Sequence, residues 1–171
     1  ALALPKAMWV WQATPIVNTA ERTALFDFCA DKGVSTIYIN TGTVFVAPAD
    51  YGTKTPVTTA QLGNFIIAAH ATGLSVCALD GDPSHCLPAN HDKVIARMQA
   101  AKTFNFNQAT NARLDGFQWD IEPYGLPDWS DTANRPTLLV DFLSIAQDLV
   151  DLGDSGWPRV PAGVAVPFWL D

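Results

Sequence analysis

The run 114–124, LDGFQWDIEPY, places Gln118, Asp120 and Glu122 two positions apart. In a β-strand such residues share one face, while Phe117, Trp119 and Ile121 share the other. A strand covered on both sides ordinarily carries apolar side chains on both faces, and a polar group buried without a partner costs roughly 2–7 kcal/mol. Three polar side chains in a row therefore mark a cavity in which they are bonded, ionised or used. Asp120 and Glu122 would lie about 6.5–7 Å apart at Cα, close enough for one charge to raise the other group's pKa. The outcome is a protonated acid beside an ionised carboxylate. That pair suits glycoside cleavage, in which the acid protonates the leaving oxygen and the carboxylate stabilises positive charge. Asp120 and Glu122 are the candidate catalytic residues.

Period and punctuation define the elements that must position this strand. MWVWQ at 8–12 reads as a first strand, STIYIN at 35–40 as a second, SVCALD at 75–80 as a third and 160–168 as a fifth. Asn18-x-x-Glu21 reads as a capping box opening a helix with the stripe Ala24, Leu25, Phe28 and Cys29, closed by Gly33. Thr58-x-x-Gln61 opens the next, with Leu62, Phe65, Ile66 and Ala69 before Gly73. Asn90 is expected to cap a helix carrying Val94, Ile95, Met98 and Ala101 at helical spacing. Leu138, Leu139, Phe142, Ile145, Ala146, Leu149 and Val150 form the strongest helical stripe, closed by Gly153.

The pattern is α/β, βαβαβαβαβ, with an internal repeat: Gly33-Val34-Ser35 with Asn40 matches Gly73-Leu74-Ser75 with Asp80 at a spacing of 40 residues. Alternation of this kind builds a parallel sheet, either open and doubly wound or part of a (β/α)8 barrel. No GxGxxG or phosphate loop follows the first strand, as nucleotide-binding open sheets usually require. Polar residues gather instead at strand C-termini: Gln12, Asn40, Asp80 with Asp82, Asp120 with Glu122, and Asp171. Barrel enzymes keep their chemistry at that end. The expectation is a single domain over 1–171, a partial (β/α)8 TIM-barrel-like unit, since a full barrel takes roughly 250 residues.

The totals exclude several functions. Net charge is −7 with no Lys/Arg-rich run, so nucleic acid and anionic membranes are poor partners. No apolar stretch approaches the roughly 20 residues of a membrane span. The chain has 6 Trp, and an acidic, Trp-rich composition suits an oligosaccharide partner. Trp9, Trp11, Gln12, Asn40, Asp80, Gln118, Tyr124 and Trp169 are the candidate substrate-binding residues, with Trp119 and Trp129 as further stacking platforms. Asp80 would line the pocket beside Asp120; Asp82 reads more simply as a turn residue next to Gly81 and Pro83. The 3 cysteines show no CxxC spacing; Cys86 is the best placed to pair, with Cys77. His70, His85 and His91 are given no function. No cofactor and no metal is called for by this reading. The start at Ala1 suits either a mature secreted chain or an excised fragment.

Asp115-Gly116-Phe117-Gln118-Trp119-Asp120-Ile121-Glu122 resembles the D-G-x-[D/N]-x-D-x-E signature on the fourth strand of family 18 glycoside hydrolases, the chitinases and their relatives. That resemblance implies Glu122 as proton donor and Asp120 as support for an oxazolinium formed from a substrate N-acetyl group. Asp115 and Gly116 match the structural start of the motif. Gln118 stands where the family carries an acidic residue or Asn, so a third carboxylate is missing. The resemblance covers about a tenth of the chain plus the strand order.

Three functions follow: a retaining glycoside hydrolase, a non-catalytic carbohydrate-binding half-barrel, or a phosphodiesterase-like barrel using Asp80, Asp82, Asp120 and Glu122 as hard ligands for Mg²⁺ or Ca²⁺. An isolated half-barrel leaves strand edges that invite pairing. The expectation is therefore a homodimer, or else a missing C-terminal half. Sedimentation should give a native mass near twice that of the chain; a value near one chain mass contradicts the dimer.

Overall fold

The computed structural model describes residues 5–167; Trp169, Asp171 and the end of the expected fifth strand lie outside them. Five parallel strands run in sequence order across one sheet: β1 (Lys6–Val10), β2 (Val34–Asn40), β3 (Ser75–Asp80), β4 (Gly116–Trp119) and β5 (Ala162–Val164). Between them lie α1 (Thr14–Val17), α2 (Thr19–Lys32), α3 (Thr59–Ala71), α4 (Pro88–Asn107) and α5 (Arg135–Asp154). The order never reverses, so there is no switch point of the doubly wound kind. Each crossover returns the chain to the next position in the same direction, as in a segment of a (β/α)8 barrel. The partial barrel-like α/β fold is what the alternating pattern called for.

The register makes the two sheet faces unequal. Ile37 pairs with Val76, Ile39 with Ala78, and Ala78 with Phe117. These residues enter one hydrophobic core with Phe65 and Ile66 of α3, Met98 and Phe104 of α4, and Phe142 and Ile145 of α5. The opposite row runs Trp9, Tyr38, Cys77, Gly116 along the pairings. There Trp9 is 40% and Trp11 44% exposed. Apolar burial worth about 25 cal/mol per Å² holds the helices to one side only.

Local chemistry explains the helix ends. The Asn18 side chain accepts the Ala20 and Glu21 N–H groups at 2.9 and 3.2 Å and so caps α2, and Gly33 closes it at φ 65°. Thr58 and Gln61 form the complete capping box of α3.

Several expectations shift. Phe28 is 46% exposed and Ala24 exposed; the buried stripe of α2 is instead Leu25, Phe26 and Cys29, because Phe26 packs on Phe65 at 5.6 Å between ring centroids. Asn90 does not cap α4, which begins at Pro88; its amide donates to the Ser84 carbonyl at 2.8 Å. Strand β1 lies over Lys6–Val10 rather than 8–12. The β4 ladder is confined to Gly116–Trp119 because Leu114 gives both backbone groups to the Asn105 amide, at 2.9 and 2.8 Å, and Pro123 opens a 3₁₀ turn. Strand β5 is shorter than expected because the Val160 N–H is spent on the Gly153 carbonyl, and Pro161 has no N–H to offer. All three cysteines are free. Cys77 lies on the sheet row facing away from the core, and Cys86 is buried within it. No helix of the described residues is long and apolar enough to cross a membrane.

Asn105 is the brace between α4 and the entry to β4, 1% exposed. Asn105→Leu would leave two buried backbone groups of Leu114 unpaired and should lower unfolding stability by about 2–4 kcal/mol, read as a fall in the urea midpoint at unchanged m-value.

Candidate active site

The entry to β4 is fixed first. Asp115 Oδ2 accepts the Val76 N–H at 2.7 Å and lies 2.9 Å from His70 Nε2, so one carboxylate ties β4 to β3 and to α3. This is the structural part expected of Asp115. Gly116 then sits where a Cβ would fall 2.9 Å from the Pro161 carbonyl oxygen and 3.2 Å from Cys77 Sγ. Burial, with the charge of Asp115 adding to it, pushes the Cys77 thiol up to about 12. Cys77 is therefore an inert thiol at neutral pH.

At the other end of β4 the strand leaves the ladder but keeps its alternation. Trp119 is fully buried in the core and stacked on Phe117 at 4.2 Å, so it offers no platform to a ligand. Asp120, on the opposite side, donates its N–H to the Asp80 carbonyl at 2.9 Å. Its Oδ1 is buried and has no hydrogen-bond partner among the described residues. Burial first, then the charge of Glu122, push the Asp120 carboxyl up to about 6. Glu122 accepts a hydrogen bond from the Tyr124 hydroxyl. Burial, together with that bond and the Glu122 charge, pushes the Tyr124 phenol up to about 12. The site thus holds two interacting carboxyl groups, one desolvated and one clamped by a phenol that stays protonated.

Gly81 decides where Asp120 can sit. A Cβ on Gly81 would fall 2.2 Å from the Asp120 carbonyl oxygen and 2.7 Å from its Cβ. Only a glycine lets the end of β3 approach Asp120 so closely.

The predicted binding residues divide. Trp9 and Trp11 meet edge to face at 6.0 Å and are exposed on the sheet face that also carries Tyr38. Tyr38 was not read from the sequence; its place in an alternating strand opposite Trp9 was the available signal. Gln118 belongs to the same face, with Oε1 in the space a side chain at Gly163 would take. Asn40 accepts the Gly42 N–H at 2.9 Å, which shapes the turn after β2. Gln12 is exposed just beyond β1.

Asp80 is not brought beside Asp120. It shares a face with Val76 and Ala78, toward the helices, where its Oδ2 pairs with Arg97 of α4 at 2.7 Å. Asp82 accepts the Ser84 N–H and hydroxyl at 2.8 and 2.6 Å and caps the 3₁₀ turn that follows, as a turn residue would. Asp80, Asp82, Asp120 and Glu122 therefore do not form one ligand shell. Among the described residues no group of three or more His, Cys, Asp or Glu is placed to hold a metal.

No protein-family profile and no curated protein matches the chain. Among solved structures, it is similar to a "Putative alpha Amylase" from Salmonella typhimurium, with TM-score 0.46 and 18% identity over 95% of this chain and 31% of that one. The chain thus spans less than two thirds of that protein's length. A likeness at that TM-score carries no weight for site or substrate.

The raised pKa of Asp120 gives a stability signature. A carboxyl group whose folded pKa is above its unfolded value stabilises the fold below the unfolded value, and that contribution is lost as pH rises through the folded one. The window runs from 3.8 to about 6. Asp120→Asn should stabilise the fold relative to wild type at pH 7–8 by on the order of 1 kcal/mol once solvent screening is allowed for, read as a higher Tm. The gain should vanish near pH 4, as followed by thermal melts across that range.

Proposed function

We propose that this chain cleaves oligosaccharides with Asp120 and Glu122 as a proton-sharing pair. The observation that carries the reading is Asp120, a carboxyl group with a buried, unpartnered oxygen pushed up to about 6 beside a second carboxylate at a strand C-terminus. A carboxyl group raised toward neutrality beside a second carboxylate is what general acid catalysis asks for. The shared proton passes from Asp120 to Glu122, which delivers it to the leaving glycosidic oxygen and leaves Asp120 ionised. Asp120, once ionised, faces the positive charge that develops on the sugar. Tyr124 holds Glu122 in one orientation through its hydroxyl.

The D-G-x-x-x-D-x-E run supports N-acetylated sugars as substrate, with the N-acetyl group as internal nucleophile and Asp120 its support. Trp9 and Trp11 present apolar surface on which a sugar ring can stack. Gln118 brings hydrogen bonds but no charge, so the tuning of Asp120 falls to burial and Glu122 alone. Secretion belongs to the same reading, and so does a partner for the sheet edges, either a second copy or a C-terminal half, since strand edges gain from pairing.

The test is cleavage of chito-oligosaccharides by the whole chain. Wild type should release shorter products, with a pH–rate profile that bends near pH 6. Glu122→Gln should lose about 10²-fold or more in rate while still binding the sugar. Wild type that binds and never cleaves would make this a carbohydrate-binding unit without turnover.

A further inference from the structure

On the helix side of the sheet, behind Asp120, a cavity of about 300 Å³ opens where β3 ends. The end of β3, the loop leading to α3 and the first turns of α4 converge on it. It is lined among others by Asp82 and His85 after β3, Lys54 from the loop, and Lys93 and Arg97 from α4. It takes no part in the acid–carboxylate pair.

His85 lines the cavity and is the most buried titratable group in its wall. It is 7% exposed. Its Nε2 lies 3.2 Å from Arg97 Nη1, and a guanidinium can only donate. Nε2 is therefore the acceptor, and in the neutral ring the proton sits on Nδ1. That Nδ1 is buried with no partner among the described residues. A buried donor left without an acceptor is costly. Burial holds the ring neutral by lowering its pKa, against the opposing charge of Asp80.

The remaining groups are mixed in sign and incompletely used. Lys54 is close enough for its charge to act on His85, and its ammonium group has no side-chain partner among the described residues. Asp82 takes both bonds from Ser84 on Oδ1, leaving Oδ2 to accept. Asp50 and Lys93 are joined only by a long 3.4 Å contact. The three carboxylates Asp50, Asp80 and Asp82 balance the three cations Lys54, Lys93 and Arg97. A bare anion or cation gains little from such a lining. A ligand whose groups each donate and accept satisfies it, and hydroxyl groups do so.

We infer that this cavity is a second binding site, for one unit of a polyhydroxylated ligand, a sugar. Its volume is at the low end of the roughly 300–1,000 Å³ of small-molecule pockets. Gly81 lines the cavity and packs against the backbone of Asp120, so the two sites stand back to back across the ends of β3 and β4. The choice of a sugar among polyols rests on the hydrolase reading. The site itself rests on His85, Lys54 and Asp82.

The experiment is an NMR titration of the whole chain carrying Glu122→Gln, which keeps a chito-oligosaccharide intact. The backbone amides of Lys54, Ser84 and His85 should shift saturably. Adding Lys54→Met, a loop substitution that leaves the far-UV spectrum unchanged, should weaken that response about tenfold and spare the Trp9 and Trp11 indole signals. Saturation at the cavity with no cleavage by wild type upholds the site while the hydrolase reading falls. Shifts confined to the Trp9 and Trp11 face overturn the site and leave the hydrolase reading standing. A cavity that answers inorganic phosphate and ignores the sugar also overturns it.

Discussion

One constraint organises this molecule: its helices bury their apolar stripes against a single face of a parallel sheet. The strands run in sequence order, and one hydrophobic core joins their helix-facing row to α3, α4 and α5. Because strand side chains alternate with period two, every strand is divided between a core row and an opposite row. Trp9, Tyr38, Cys77 and Gln118 are on the opposite row because their neighbours Met8, Ile37, Val76 and Phe117 are claimed by the core or packed against it. Asp120 and Glu122 extend that row beyond the last ladder bond of β4.

The same alternation sends Asp80 the other way. Asp80 and Asp120 are neighbours through their backbones, joined by a 2.9 Å hydrogen bond, yet their side chains serve different surroundings. Asp80 is neutralised by Arg97 at 2.7 Å, whereas Asp120 has a buried oxygen without a partner among the described residues. An ion pair settles the first carboxylate as structure. Desolvation, with a like charge beside it, raises the pKa of the second to about 6. A single residue of strand phase thus separates a carboxylate neutralised by an ion pair from one desolvated beside a like charge.

Glycine and amide groups make this arrangement possible. Gly81 admits the end of β3 against Asp120, and Asn105 satisfies both backbone groups of Leu114. Each removes an obstacle, steric in one case and an unmet hydrogen bond in the other, that would prevent β4 from entering the sheet in this register. The polar cavity behind Asp120 is the counterpart on the helix side, where three carboxylates face three cations.

The sequence by itself determined the alternation of strands and helices, the bounds of β3, the caps at Asn18 and Thr58, and the pairing of Asp120 with Glu122. Those are local properties, set by period, by capping chemistry and by side chains two apart on one chain. The stripe of α2 was misread at Phe28 because a helix face is defined by its neighbour, here Phe65. The reach of β4 and β5 was overdrawn because the backbone groups of Leu114 and Val160 are taken by distant partners. Asp80 is expected beside Asp120 because both stand at the C-terminal end of a strand, and Cys77 with Cys86 because nine positions separate them. Only the tertiary structure decided which face each occupies, because sheet register and helix coverage are contacts between segments, which no single stretch of sequence contains.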